Sequence, residues 1–203
     1  MLNRRLAALL VAVALAAVAI TGCADQTTAL RVGDDSFSDA QLYDELDAFA
    51  GNEALWREAG QSPDVIRGDL DSSYDSEFVA GLLRQRVFFI LGGQLFDEQG
   101  LELDDELREM ARQSLDRQFF GTLGEFPEEF REGFVDDVAR LAALEQELGA
   151  DGLDEALVDA ANTTKIEVSS RYGRWDSDRL AVVPPEGSQP ARPPIDVTDP
   201  FGG

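Results

Sequence analysis

The sequence of 203 residues contains no histidine, a single cysteine (Cys23) and a single lysine (Lys165). Without histidine there is no His-ligated metal site, no Ser-His-Asp triad and no Cys-His dyad. One cysteine excludes an intramolecular disulfide, so the fold must rest on packing. Basic residues are scarce as well: 17 Lys and Arg face 40 Asp and Glu, a net charge of −23. A surface this acidic disfavours nucleic acid, which is bound through basic patches, and adsorption to anionic lipid headgroups. A G-x-S-x-G elbow, a phosphate loop, a dinucleotide fingerprint and a calcium-loop spacing are all missing. Acidic clusters such as Asp104-Asp105-Glu106 and Glu128-Glu129 fall at helix starts, where the helix dipole accounts for them. The residues therefore nominate no catalytic group, no cofactor and no metal site.

What is present begins at the N-terminus. Arg4 and Arg5 precede Leu6 to Ile20, a run without a polar side chain, and Ile20-Thr21-Gly22-Cys23 closes the segment. This is the pattern of a secretory signal peptide, shorter than the roughly 20 apolar residues of a comfortable membrane span. Its last four residues resemble the lipobox of bacterial lipoprotein precursors. That resemblance implies cleavage after Gly22, a diacylglyceryl group on Cys23, and attachment to the extracytoplasmic face of the cell membrane. The competing readings are plain secretion with an incidental cysteine and an uncleaved signal anchor. Removing residues 1–22, which carry two arginines and no acidic residue, would leave 181 residues with a charge of −25. Residues 23–28 then form a lipidated cysteine and a polar tether that reaches at most about 20 Å.

Further along, Ala29 to Gly33 reads as a strand and Asp34-Asp35 as a turn. Ser38 and Gln41 have capping-box spacing, Phe37 and Leu42 staple spacing, and Leu42, Leu46 and Phe49 a helical stripe. Glu53 to Ala59 adds another turn or two, and residues 60–73 form an irregular connection. Ser76 to Gln99 is the longest predicted helix and is apolar all round from Val87 to Leu91, so it should be buried on more than one side. Its Gly92-Gly93 pair reads as a packing notch. Asp104 caps a third helix, Pro127 opens a fourth that runs to Leu148, and Leu153 to Ala161 gives one more short helix. Lys165 to Ser169 alternates as a strand does. The expected fold is mainly α: one domain over residues 29–178 with four to five helices and short N- and C-terminal strands. Six of the eight prolines fall after residue 183, and residues 179–203 are expected to be a disordered Pro-rich tail.

Three segments in this order resemble the N-terminal chaperone domain of the SurA and PrsA group of extracytoplasmic folding factors. Leu30-Arg31-Val32-Gly33-Asp34-Asp35-Ser36-Phe37-Ser38 is similar to its opening strand, turn and cap. Gln99-Gly100-Leu101-Glu102-Leu103-Asp104-Asp105-Glu106-Leu107 is similar to its helix-to-helix junction. Lys165-Ile166-Glu167-Val168, running on to Arg171-Tyr172-Gly173-Arg174-Trp175-Asp176, resembles the returning strand and aromatic segment of actinobacterial members. The resemblance implies that the first and last strands pair, in a direction the sequence leaves open. The chain departs from the family's prolyl isomerases. Only 35 residues follow Val168, too few for a parvulin domain, and the parvulin histidines are lacking.

Two groups of residues are candidates for function. Phe88, Phe89, Phe96, Phe119, Phe120, Phe126, Phe130 and Phe134 hold eight of the twelve phenylalanines. They are either an apolar surface for client polypeptides or plain core. Arg171, Tyr172 and Trp175 are expected to lock the late strand onto the helices. The resulting expectation is a lipid-anchored, non-catalytic, chaperone-like module for unfolded or newly exported polypeptides. The alternative is a structural or adaptor lipoprotein docking one folded partner, and an enzyme with an unrecognised carboxylate site is third.

Overall fold

Residues 28–68 and 73–185 are described in the computed structural model of the protein. Cys23, the expected signal peptide, most of the expected tether and the part of the expected Pro-rich tail beyond residue 185 lie outside the described residues.

Strands β1 (Thr28–Val32) and β2 (Asp35–Ser38) form an antiparallel hairpin, with Val32 opposite Asp35 across Gly33-Asp34. Gly33 has φ +61, a left-handed conformation that glycine adopts without a Cβ penalty and that two-residue hairpin turns require. The turn therefore lies one residue earlier than Asp34-Asp35, and Asp35 to Ser38 folds back as a strand. Strand β3 (Ile166–Val168) pairs on the other edge of β1, with Leu30 opposite Val168 and Val32 opposite Ile166, giving the order β2-β1-β3. The first strand thus pairs antiparallel with the returning strand β3, which is not the last strand of the chain.

Ser38 ends β2 and caps α1 (Asp39–Gly51): Gln41 N donates to Ser38 Oγ at 3.2 Å, and Ser38 N to Gln41 Oε1 at 2.9 Å. Such a cap contributes about 1 kcal/mol. Asn52 starts a separate helix, α2 (Glu53–Glu58), because its Oδ1 accepts from Leu55 N at 3.0 Å. A short 3-10 turn (Pro63–Ile66) leads toward α3 (Ser76–Glu98), and α4 (Asp105–Gln118) follows. Then come α5 (Glu128–Leu148), with Pro127 as its N-cap, and α6 (Ala150–Thr163). Among the described residues six helices stand in place of the expected four to five, mainly because Asn52 restarts the helix that Gly51 ends. The mainly α class holds.

Beyond β3, β4 (Arg174–Asp176) and β5 (Ala181–Val183) form a second antiparallel hairpin. Val182 is buried, and Arg84 of α3 donates through Nε to the Leu180 carbonyl at 2.9 Å. The domain boundary expected at residue 178 is therefore too early. Ala181-Val182-Val183 has strand-forming side chains and finds a partner strand and a helix to cover it.

Helix α3 is the centre of the molecule, packed by β1, α5, α6 and β5, which accounts for its all-round apolar stretch. Next to it lies an aromatic core. The Phe49 ring meets Phe78, Phe119, Phe126 and Phe130 edge-on at centroid distances of 5.4–6.1 Å. Phe89 meets Phe134 in the same way at 5.2 Å. Edge-to-face pairs of this kind add about 0.5–1.5 kcal/mol each beyond area burial.

This packing corrects the reading of the phenylalanines as one client-binding surface. Phe89, Phe96, Phe119, Phe126 and Phe134 are at most 5% exposed and belong to the core. Phe88 and Phe130 are half-buried, and Phe120 is exposed. The helical periods that bring these rings together turn them inward, where α1, α3 and α5 meet.

Candidate functional site

Between β2, α1, α3 and α5 opens a cleft of about 1060 Å³. Helical spacing builds three of its walls. Gln41, Asp44, Glu45 and Ala48 share one face of α1; Arg86, Phe89, Ile90, Gly93, Gln94 and Asp97 come from α3; Phe130, Gly133, Asp137 and Arg140 come from α5. Apolar atoms of Phe37, Ala48, Phe89, Ile90 and Phe130 alternate there with carboxylates. Gln94 fixes the hairpin at the edge, donating through Nε2 to the Val32 carbonyl at 3.2 Å and to Asp35 Oδ2 at 2.8 Å. The Tyr74 hydroxyl similarly holds Asp47 of α1.

A buried ion network lies at the base. Arg86 bridges two helices, with Nη2 2.5 Å from Glu45 Oε1 and Nη1 2.6 Å from Asp137 Oδ2. Arg140 Nη1 reaches the other Asp137 oxygen at 3.0 Å. The Arg86 guanidinium also stands 5.4–5.9 Å from the rings of Phe37, Phe89 and Phe134. Glu45 Oε2 and Arg86 Nε are buried without a hydrogen-bond partner among the described residues. Burial pushes the Glu45 and Asp137 carboxyls up from their ordinary range, against the pull of Arg86. Burial also opposes the Arg86 charge, but Glu45 and then Asp137 more than offset it and keep the guanidinium protonated.

None of Glu45, Arg86 and Asp137 was nominated by the sequence reading. One signal was available: Arg86 stands directly before the apolar stretch Val87 to Leu91 of a helix expected to be buried on more than one side, and an arginine on a buried helix face needs a partner. The sequence could not say which carboxylates would supply it, since 40 acidic residues are available.

Five of the nominated phenylalanines, Phe89, Phe119, Phe126, Phe130 and Phe134, meet ring to ring in the aromatic core, whereas Phe88, Phe120 and the Arg171-Tyr172 pair lie elsewhere. Of the eight phenylalanines, Phe89 and Phe130 line the cleft, and Phe134 supports the Arg86 site from behind. Phe88 packs against Trp175 with ring centroids 6.5 Å apart, beneath the second hairpin. Phe120 sits at the end of α4 with φ +55. Arg171 Nη1 pairs with Asp39 Oδ2 at 2.8 Å, and the Tyr172 hydroxyl donates to Asp39 Oδ1 at 3.1 Å. These two residues join the segment after β3 to the first turn of α1, and Trp175 joins β4 to α3. Burial, then the Tyr43 and Asp39 oxygens, raise the Tyr172 pKa, so its hydroxyl stays a donor.

Chemically the cleft offers hydrogen-bond acceptors, negative charge and ring faces. Its cations, Arg86 and Arg140, are already engaged by carboxylates. Among the described residues no helix is long and apolar enough to cross a membrane. Comparison with protein-family models, with curated proteins and with solved structures finds no match to this chain.

Proposed function

We propose that this chain is a lipoprotein, anchored through Cys23 at the extracytoplasmic face of the cell membrane, whose helical domain binds unfolded or extended polypeptide without catalysis. The anchor rests on the Leu6 to Cys23 sequence, and the module on the resemblance to the SurA and PrsA chaperone domain. The observation that carries the binding role is the cleft. It is long enough to meet three helices and a strand, and it mixes ring faces with hydrogen-bond acceptors, as a site for a peptide segment needs. A domain of charge −25 would not stay at an anionic bilayer unaided, whereas the two acyl chains of a diacylglyceryl group hold it.

The mature chain carrying Cys23→Ser should slow aggregation of several unrelated unfolded proteins at a several-fold molar excess. Gly93→Leu, which points a side chain into open cleft space, should abolish that protection. Absence of protection by the parent chain would sink the chaperone reading. One observation favours a second reading, an adaptor that docks a single folded envelope partner: burial of most phenylalanines removes the broad apolar face that a general holdase uses. Saturable binding of one envelope protein without any anti-aggregation effect would decide for the adaptor.

A further inference from the structure

The cleft has more negative charge than its own cations neutralise. Asp44 on α1, Asp97 on α3 and Glu129 on α5 stand exposed at its mouth on three different helices. Their side chains make no hydrogen bond or ion pair with other described residues. Deeper in, Glu45 lines the same cleft and is 8% exposed, with one carboxylate oxygen on Arg86 and the other closed to solvent. Between rim and base lie the apolar atoms of Phe37, Ile90 and Phe130. Like charges held around an apolar hollow are mutually unfavourable unless a cation joins them, and a low-dielectric wall strengthens the attraction for that cation.

We infer that the cleft is selective for cationic polypeptide: its occupant is an extended segment in which arginine or lysine flanks an aliphatic or aromatic side chain. The apolar side chain covers Phe37, Ile90 and Phe130. A flanking guanidinium or ammonium reaches Asp44, Asp97 or Glu129. This rests on the polypeptide-binding reading and adds to it the chemistry of the segment. Selectivity comes from charge complementarity, which acts on encounter and register, while the apolar contact provides the hold.

The test uses the mature chain with Cys23→Ser and three fluorescein-labelled peptides that share their apolar residues but carry flanking Arg, Gln or Glu. Fluorescence anisotropy should give the Arg peptide an affinity about tenfold above the Gln peptide, three exposed charge pairs each contributing about twofold, with the advantage shrinking as salt is raised. The triple variant Asp44→Asn/Asp97→Asn/Glu129→Gln should bring the Arg and Gln peptides within about twofold, since those exposed pairs would be gone. Asp151→Asn/Asp154→Asn/Glu155→Gln removes the same charge from exposed positions on α6, away from the cleft, and should leave the advantage in place. If both triple variants weaken the Arg peptide equally, the preference comes from the overall field of an acidic protein and the inference falls. Equal binding of Arg and Gln peptides by the parent chain also overturns it and leaves polypeptide binding standing. Failure of all three peptides to bind overturns the inference and the polypeptide-binding reading together.

Discussion

Gly92 and Gly93 are adjacent in one helix, and replacing each by alanine should affect stability differently. Both lie inside α3, where alanine is favoured over glycine by about 1 kcal/mol. A Cβ on Gly93 would meet nothing within 4 Å, because that position faces the cleft. A Cβ on Gly92 would lie 2.4 Å from Leu141 Cδ2, and Leu141 is itself 5% exposed in the packed contact with α5. Overpacking of that kind costs about 1–3 kcal/mol. Gly93→Ala should therefore stabilise the domain by about 1 kcal/mol, while Gly92→Ala should range from neutral to about 2 kcal/mol destabilising. With an m-value of about 2 kcal/mol/M, the Gly93 variant moves the urea midpoint up by about 0.5 M. The measurement is equilibrium urea unfolding of both variants and the parent chain, with matched m-values. Equal upward shifts would refute the assignment of Gly92 as the notch for Leu141, because the close approach would then be imposing no constraint.

Further predictions concern the buried network, pH and the one exposed phenylalanine among the described residues. Arg86→Met leaves Glu45 and Asp137 buried without their shared cation and should cost about 3–5 kcal/mol in urea unfolding; a loss below about 1 kcal/mol would mean the network is solvated. Burial raises the Glu45 and Asp137 pKa values above those of the unfolded chain, so the folded state holds their protons more tightly. The stability these groups contribute is full below the unfolded carboxylate pKa of about 4 and is lost as pH rises through their folded values. Glu45→Gln should thus lose less stability than the parent chain as pH rises above the unfolded carboxylate pKa of about 4, and parallel pH profiles would contradict the raised carboxyl. Phe120 is 50% exposed with φ +55, a region that disfavours any residue with a Cβ. Phe120→Gly should stabilise by about 1 kcal/mol, and a loss of that size in thermal or urea melts would show that the ring is held by packing.

Much of the helical scaffold is legible in the chain because it is set by neighbours in sequence. Ser38 with Gln41, and Asp104, cap the helices that follow them, since a side chain need only reach its own helix's free N–H groups. The candidate site was far less legible. The periodicity that places Phe89, Phe119, Phe126 and Phe134 on helix faces is visible, but whether a face meets water or another helix depends on packing across the domain. The same holds for β5. Ala181-Val182-Val183 is too short to commit itself, and it becomes a strand because Arg174–Asp176 and α3 are there to pair with it and cover it.

By itself the sequence determined the mainly α class, the positions of most helices, and the negative charge, all of which follow from composition, period and local capping. The Leu6 to Cys23 pattern, on which the proposed anchor rests, is likewise linear. Tertiary structure decided the antiparallel closure of β1 on β3, the inward turn of the phenylalanines, and the pairing of Arg86 with Glu45 and Asp137 from α1 and α5. It also set which of two neighbouring glycines faces a leucine and which faces the cleft. Caps and periods are fixed within a few residues along the chain, whereas a cleft and its charges are sums over residues some ninety positions apart, and only the packed chain brings those together.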